Sequence, residues 1–204
     1  MSADLNHVAY YAGAVAVLFL LFSSVHGAVT LLEEEEAGIL DRVLAGPAGA
    51  ATLVNGKFLF LVGQGVVQVA VIFVVAWLLY GIDLPGHVVP WSLATLAASA
   101  AAAGLALALV TACTTRRQAQ TLANVAILIL SAIGGSMVPR FLMPPLLQDL
   151  GALTPNAWAL EAYSAIFWRD EPIASLGLPI GILLGAGMLG LALAQRFARR
   201  LQTL

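Results

Sequence analysis

The side chains able to do chemistry are few in this chain and poorly spaced for catalysis. His7, His26 and His87 are dispersed and none precedes glutamate, so the H-E-x-x-H spacing that sets two imidazoles on one zinc does not occur. An aspartyl hydrolase needs two carboxylates in apolar surroundings, yet Asp83 and Asp149 fall in connecting segments. Serine chemistry has no histidine beside a plausible nucleophile. Cys113, the single cysteine, has no second thiol to pair with and no His or Cys next to it to share a metal. It reads as small apolar filler. A phosphate cradle requires G-x-x-x-x-G-K followed by Ser or Thr, and the one Gly-Lys, Gly56-Lys57, is followed by Phe58. The chain is therefore expected to carry no catalytic residues, no metal and no cofactor of its own, and any ATP must be hydrolysed elsewhere.

The remaining polar groups lie inside apolar runs. Gln64 and Gln68 are one helical turn apart with Gly63 and Gly65 beside them, and His26, Asn124 and Ser131 are the other notable ones. Polar groups within a membrane face the bundle interior or a cavity, which makes Gln64, Gln68, Asn124 and Ser131 candidates for lining a substrate pathway. The alternative is packing glue, worth only about 0.6 kcal/mol per interhelical hydrogen bond. No carboxylate in the apolar runs could relay protons, so external energy is expected rather than ion coupling.

The elements that position these groups are set by composition. Of 204 residues, 61% are hydrophobic and 10% charged, against about 25% charged in soluble domains, and the mean hydropathy is +0.95. This is the composition of an integral membrane protein. A net charge of -2 with nine Lys plus Arg leaves no basic surface for nucleic acid. With about 20 apolar residues needed to cross a hydrocarbon core of about 30 Å, spans are predicted at 8–32, 56–80, 91–113, 120–138 and 173–195. The fold is thus expected to be all-α, one polytopic transmembrane domain over 1–204 with five spans. The first run is too long for a leader peptide and its flank carries Asp4 rather than a cation.

Orientation follows from the cations. Arg42, Lys57, Arg116, Arg117, Arg196, Arg199 and Arg200 fall on one side of such a bundle, and Arg140 and Arg169 on the other. Seven of nine on one side makes that side cytoplasmic, with the N-terminus outside and the C-terminal tail inside.

Two connections carry patterns of their own. Glu33 to Glu36 cannot enter hydrocarbon, so the first span leaves the membrane there. Beyond it, Ile39, Leu40, Val43 and Leu44 share one side of a helix predicted at 37–45, Asp41 and Arg42 face away, and Gly46 and Pro47 stop it. On the opposite side, 139–172 contains two helix starts, the Pro144-Pro145 pair and Thr154-Pro155, which predict two short helices within 144–168. They either lie at the interface with Trp158, Tyr163 and Trp168 among the headgroups, or fold back against the bundle. Gly177, Gly181 and Gly185, and the run ASAAAAGLALA at 98–108, mark close helix contacts, expected by default within the chain.

Taken in order, EEEEAGILDRVLAGP, the Lys57-containing start of the next span and GGSMVPRFLMPPLLQDLGALTPNAWALEAY resemble the membrane subunit of type-2 ABC transporter permeases. The resemblance covers nearly all of the chain. It implies docking of the 37–45 helix on a cytoplasmic ABC ATPase, with Glu34, Glu36, Gly38, Leu40, Arg42, Leu44 and Pro47 in that role. It implies an outer motif at Gly134, Gly135, Pro139, Pro144, Pro155, Asn156 and Trp158, of which Pro139, Pro144, Pro155, Asn156 and Trp158 would form the outer gate. It further implies ATP and Mg on the partner, a second permease copy or companion permease, a multi-pass place in a cell membrane of the bacterial inner type, and export of a lipophilic, drug-like or lipid-like substrate such as in multidrug efflux. Members of the family have six spans with both termini inside, so this chain is expected to lack the first span and an outer domain. A non-transporting scaffold or a remnant of such a permease, and an intramembrane enzyme, are the alternative readings.

Overall fold

The computed structural model describes residues 2–38 and 49–198. Seven α-helices account for nearly all of them, and no strand occurs among the described residues. They are α1 (Ser2–Glu36), α2 (Ala50–Tyr80), α3 (Val88–Thr111), α4 (Arg116–Gly134), α5 (Pro145–Gly151), α6 (Pro155–Phe167) and α7 (Gly177–Ala198). Short 3-10 turns at Pro85–His87, Arg140–Leu142 and Ile173–Leu176 lead from one helix toward the next.

Among the described residues four helices are long and apolar enough to cross a membrane: the stretches His7–Glu34, Ala51–Tyr80, Pro85–Thr111 and Ile173–Ala198. The fifth expected span differs. Its helix is α4, which begins with Arg116, Arg117, Gln118 and Gln120 and ends at Gly134 rather than 138, because Gly135 adopts φ +104 and its N–H caps Ser131 O. That polar first turn, in a helix of 19 residues, keeps it below the apolar length of the other four. It nonetheless runs beside α1 from end to end. Arg116 meets Glu33 and Glu36 at one end of α1, and the Gly135 carbonyl meets the Tyr10 hydroxyl near the other. At about 1.5 Å per residue α4 covers about 28 Å of that distance.

The packing follows residue size. α3 is the central helix, with Ala97 to Gly104 buried on nearly every side. Small residues there let main chains approach closely, which is how helices associate where the surroundings are as apolar as leucine. The closest approach is to α7: a Cβ on Gly104 would stand 2.2 Å from Gly187 O, and one on Gly190 2.4 Å from Gly104 C. Gly177, Gly181 and Gly185 do not make the expected contact. Nothing lies within 4 Å of where their Cβ atoms would be, because they occupy the outer face of α7.

The core has two ends. Near Tyr10 it is built from Ala14, Val17 and Leu20 of α1, Phe73 of α2, Ala98 of α3, and Leu160, Tyr163 and Ile166 of α6. At the Glu33 end α4 takes the place of α6, with Ala119, Ala123 and Ile127 against Val29, Leu61 and Leu107. Large apolar side chains such as Leu59, Phe60, Val67, Leu79 and Met188 point outward from the bundle, as a lipid-facing surface requires.

Of the expected helix at 37–45, Ala37 and Gly38 are turn residues, with Gly38 at φ +67, and 39–48 lie outside the described residues.

Candidate functional site

At one end of the bundle three helices are tied together by acids. The Lys57 ammonium of α2 donates to Glu34 at 2.9 Å, and the Arg116 guanidinium of α4 meets Glu33 at 3.1 Å and Glu36 at 3.0 Å. The physical reason is the helix dipole. Carboxylates at a helix C-terminus face the negative end and are disfavoured there, and α1 has no basic residue in its last turn. Cations from α2 and α4 offset that cost. In turn, the Glu33 hydrogen bond and the Glu36 charge raise the Arg116 pKa above its ordinary value. Of the expected docking residues, Glu34 and Glu36 are thus engaged within the chain, Gly38 opens the connection, and Leu40, Arg42, Leu44 and Pro47 lie outside the described residues.

At the other end, α5 and α6 fold against the bundle by rules visible in their first residues. Thr154 caps α6, its hydroxyl accepting from the Ala157 N–H at 3.3 Å, and Pro155 sits in the first turn with its φ already helical. For α5 it is Pro145, with Pro144 as the preceding cap. The first short helix lies on the surface, with Leu146 and Leu150 exposed. The second does not: Ala157, Leu160, Ala162, Tyr163 and Ile166 are buried among α1, α3 and α7. Tyr163 is therefore not an interfacial aromatic. Its hydroxyl is fully enclosed and shares a 3.1 Å hydrogen bond with Thr95, while its ring packs 5.0 Å from that of Phe73.

Asn156 is the knot of this end. Its Nδ2 donates to Ser136 Oγ at 3.0 Å and to Ser131 Oγ and Leu130 O at 3.4 Å, joining the start of α6 to the end of α4. A Cβ at Gly134 would stand 2.5 Å from Asn156 Cβ, so that position has no room for a side chain. Trp158 is half-buried and donates from Nε1 to Ala152 O at 2.7 Å, closing the turn between α5 and α6. Pro139 is buried beside this cluster, whereas Pro144 is exposed. Tyr10 completes it from α1, donating to Gly135 O at 2.9 Å and accepting from the Arg140 main-chain N–H at 3.3 Å.

Sequence reasoning missed Tyr10 and Thr95 as members of this end, and placed Arg140 there only by its charge, because each pairs with a residue many positions away. His87 and Asp170, 3.0 Å apart, make a similar long-range clasp between the connections that flank α3 and α7.

Replacing Asn156 with leucine should strip three acceptors of their donor and leave Ser131 buried without one, at a cost of about 1 to 3 kcal/mol. Denaturant titration in detergent should show the loss, and a curve coincident with that of the unmodified chain would argue against the knot.

The four candidate pathway residues are not brought together. Asn124 is exposed on the outer face of α4, Ser131 is buried in the Asn156 knot, and Gln64 and Gln68 are half-buried on α2, where they make no side-chain hydrogen bond to another described residue. Gln64 faces Gly27 of α1, its Oε1 3.3 Å from where a Cβ would be. Beside Asn156 the bundle interior holds a cavity of about 10 Å³ lined by Val17, Leu20, Ala98 and Leu183, room for roughly one water.

A polytopic bundle of long apolar helices, with a short helix folded into one end and an ion-paired connection at the other, defines a multi-pass membrane protein. Residues 2–195 match the family model described as ABC-2 family transporter protein, and the chain belongs to that family. It is accordingly a transmembrane subunit of an ABC transporter. No curated protein matches it.

Proposed function

We propose that this chain is the membrane subunit of an ATP-driven exporter, in which a separate cytoplasmic ATPase binds the 37–47 segment and drives passage of a lipophilic, drug-like or lipid-like substrate. The observation that carries the reading is the bracing around that segment. Its two ends, α1 and the start of α2, are joined by Glu34 and Lys57, and Arg116 fastens α4 to the same place. A push on the connection therefore reaches three helices at once, as rigid-body rocking of a bundle requires. Leu40 and Leu44 supply the apolar anchors, the helix-in-groove mode of recognition.

The substrate path lies on a face shared with a second permease copy or a companion permease. Close packing inside one copy supports this, since the cavity beside Asn156 has room for no more than about one water. Gln64 and Gln68 take part from α2, and the Pro139, Pro155, Asn156 and Trp158 cluster closes the outer side. ATP and Mg belong to the partner, and the assembly sits in a cell membrane of the bacterial inner type.

Co-expression with a cognate ABC ATPase tests the proposal. The pair should co-purify, and ATP turnover by the ATPase should rise when this chain is present in proteoliposomes. An ATPase that neither binds the chain nor responds to it would overturn the coupling role.

A further inference from the structure

We propose that the cavity at Arg140 binds the phosphate of an anionic glycerophospholipid whose tails lie along the outside of the bundle. The cavity has a volume of about 240 Å³ and lies at the Tyr10 end, lined by Tyr10, Arg140, Glu161, Ser164, Trp168 and Arg169. It is smaller than the roughly 300 to 1,000 Å³ of sites that enclose a drug-sized molecule, and so suits a headgroup rather than a whole lipid.

Its two arginines are not paired alike. Arg169 is paired with Glu161 and with Glu171, whose carboxyl it holds below the usual range. Arg140 has no carboxylate within ion-pair distance among the described residues. Its Nη2 donates to Gln148 O at 3.0 Å, and its Nε is buried without an acceptor. A guanidinium presents five donors in a planar fork that matches phosphate oxygens two at a time. A half-buried guanidinium with no carboxylate of its own favours an anion in the cavity it lines, because a desolvated charge without a partner is costly.

The surroundings select a lipid over a free ion. Met137, Val138 and Leu142, which flank Arg140 in the chain, are exposed apolar side chains beside the cavity's cation. Trp168 on its wall is the residue type that sits at headgroup level. The shared chemistry is a phosphate on Arg140, and acyl chains outside the cavity are what a lipid adds.

The test uses the full chain purified in detergent, with dioctanoyl phosphatidylglycerol as probe and native mass spectrometry as readout. Saturable binding of the probe is expected, weakened about tenfold to a hundredfold in Arg140→Gln, the range for hydrogen bonds to charged groups, and partly restored in Arg140→Lys. Ser164→Leu, which puts a larger side chain at another lining position, should also weaken it. Arg117→Gln, an exposed cation near the Glu33 end, should leave binding unchanged. Dioctanoylglycerol, which lacks the phosphate, should not compete, and inorganic phosphate should compete far less well than the lipid. Equal weakening by Arg140→Gln and Arg117→Gln would overturn the site. So would undiminished binding to both Arg140→Gln and Ser164→Leu. Competition by inorganic phosphate as effective as the lipid would overturn the lipid assignment in favour of a soluble anion.

Discussion

Gly104→Leu should be the most damaging single change in the long helices, lowering stability by about 3 kcal/mol or more. A Cβ at that position would stand 2.2 Å from Gly187 O and 2.9 Å from Gly187 Cα, and these are main-chain atoms of another helix. Ordinary overpacking costs about 1 to 3 kcal/mol because neighbouring side chains change rotamer to make room. Main chain has no rotamer to change, so α3 and α7 would have to move apart along the whole contact. Gly181→Leu provides the control, since nothing lies within 4 Å of its Cβ position, and should stay within about 0.5 kcal/mol. Thermal unfolding of both variants in one detergent decides it. A Gly104→Leu chain that melts with the Gly181→Leu chain would show that the two helices are not in main-chain contact.

Leu40→Asp combined with Leu44→Asp should abolish ATPase stimulation while leaving the helical bundle inserted. Each leucine contributes about 1.5 to 3 kcal/mol when buried in a partner's groove, and aspartate would instead bring a charge into that groove. Arg42→Ala should retain most of the stimulation, because an ion pair at a rim is worth about 0 to 1 kcal/mol. The measurement is ATP turnover by the co-purified pair, with helical content by circular dichroism as the check on folding. Normal stimulation by the double variant would remove the docking role from these residues.

Much of this architecture was legible in the sequence, for reasons that are themselves physical. A membrane span announces itself by apolar length alone, so α1, α2, α3 and α7 were readable without any knowledge of contacts. Local chemistry also read well: proline in the first turn and a threonine cap place the starts of α5 and α6 to within a residue. The limits came where the outcome depends on a neighbour. Gly177, Gly181 and Gly185 recur every fourth residue and Gly187 and Gly190 are three apart, both helical spacings, and only the position of α3 decides which set is buried. Tyr163 has the composition of an interfacial residue and becomes interior because Thr95 of a distant helix supplies an oxygen partner. The acids of α1 illustrate the same limit in charge: their type shows where the helix leaves the membrane, but nothing in the sequence makes Lys57 and Arg116 their partners.

The burial of α6 bears on the order in which the protein can be assembled. At 13 residues this helix is about 20 Å long, short of the about 30 Å needed to cross hydrocarbon by itself. Thr154 satisfies one donor at its start, and Asn156 is held by groups on the α4 side. The residues that receive it, among them Phe73, Thr95 and Gly13, come from three helices made earlier in synthesis. α6 therefore has no stable place in a membrane until α1, α2 and α3 have come together. Neither half of the core is complete even then, since α7, the last helix made, supplies Leu183 to the half near Tyr10 and Leu191 and Ala194 to the half near Glu33.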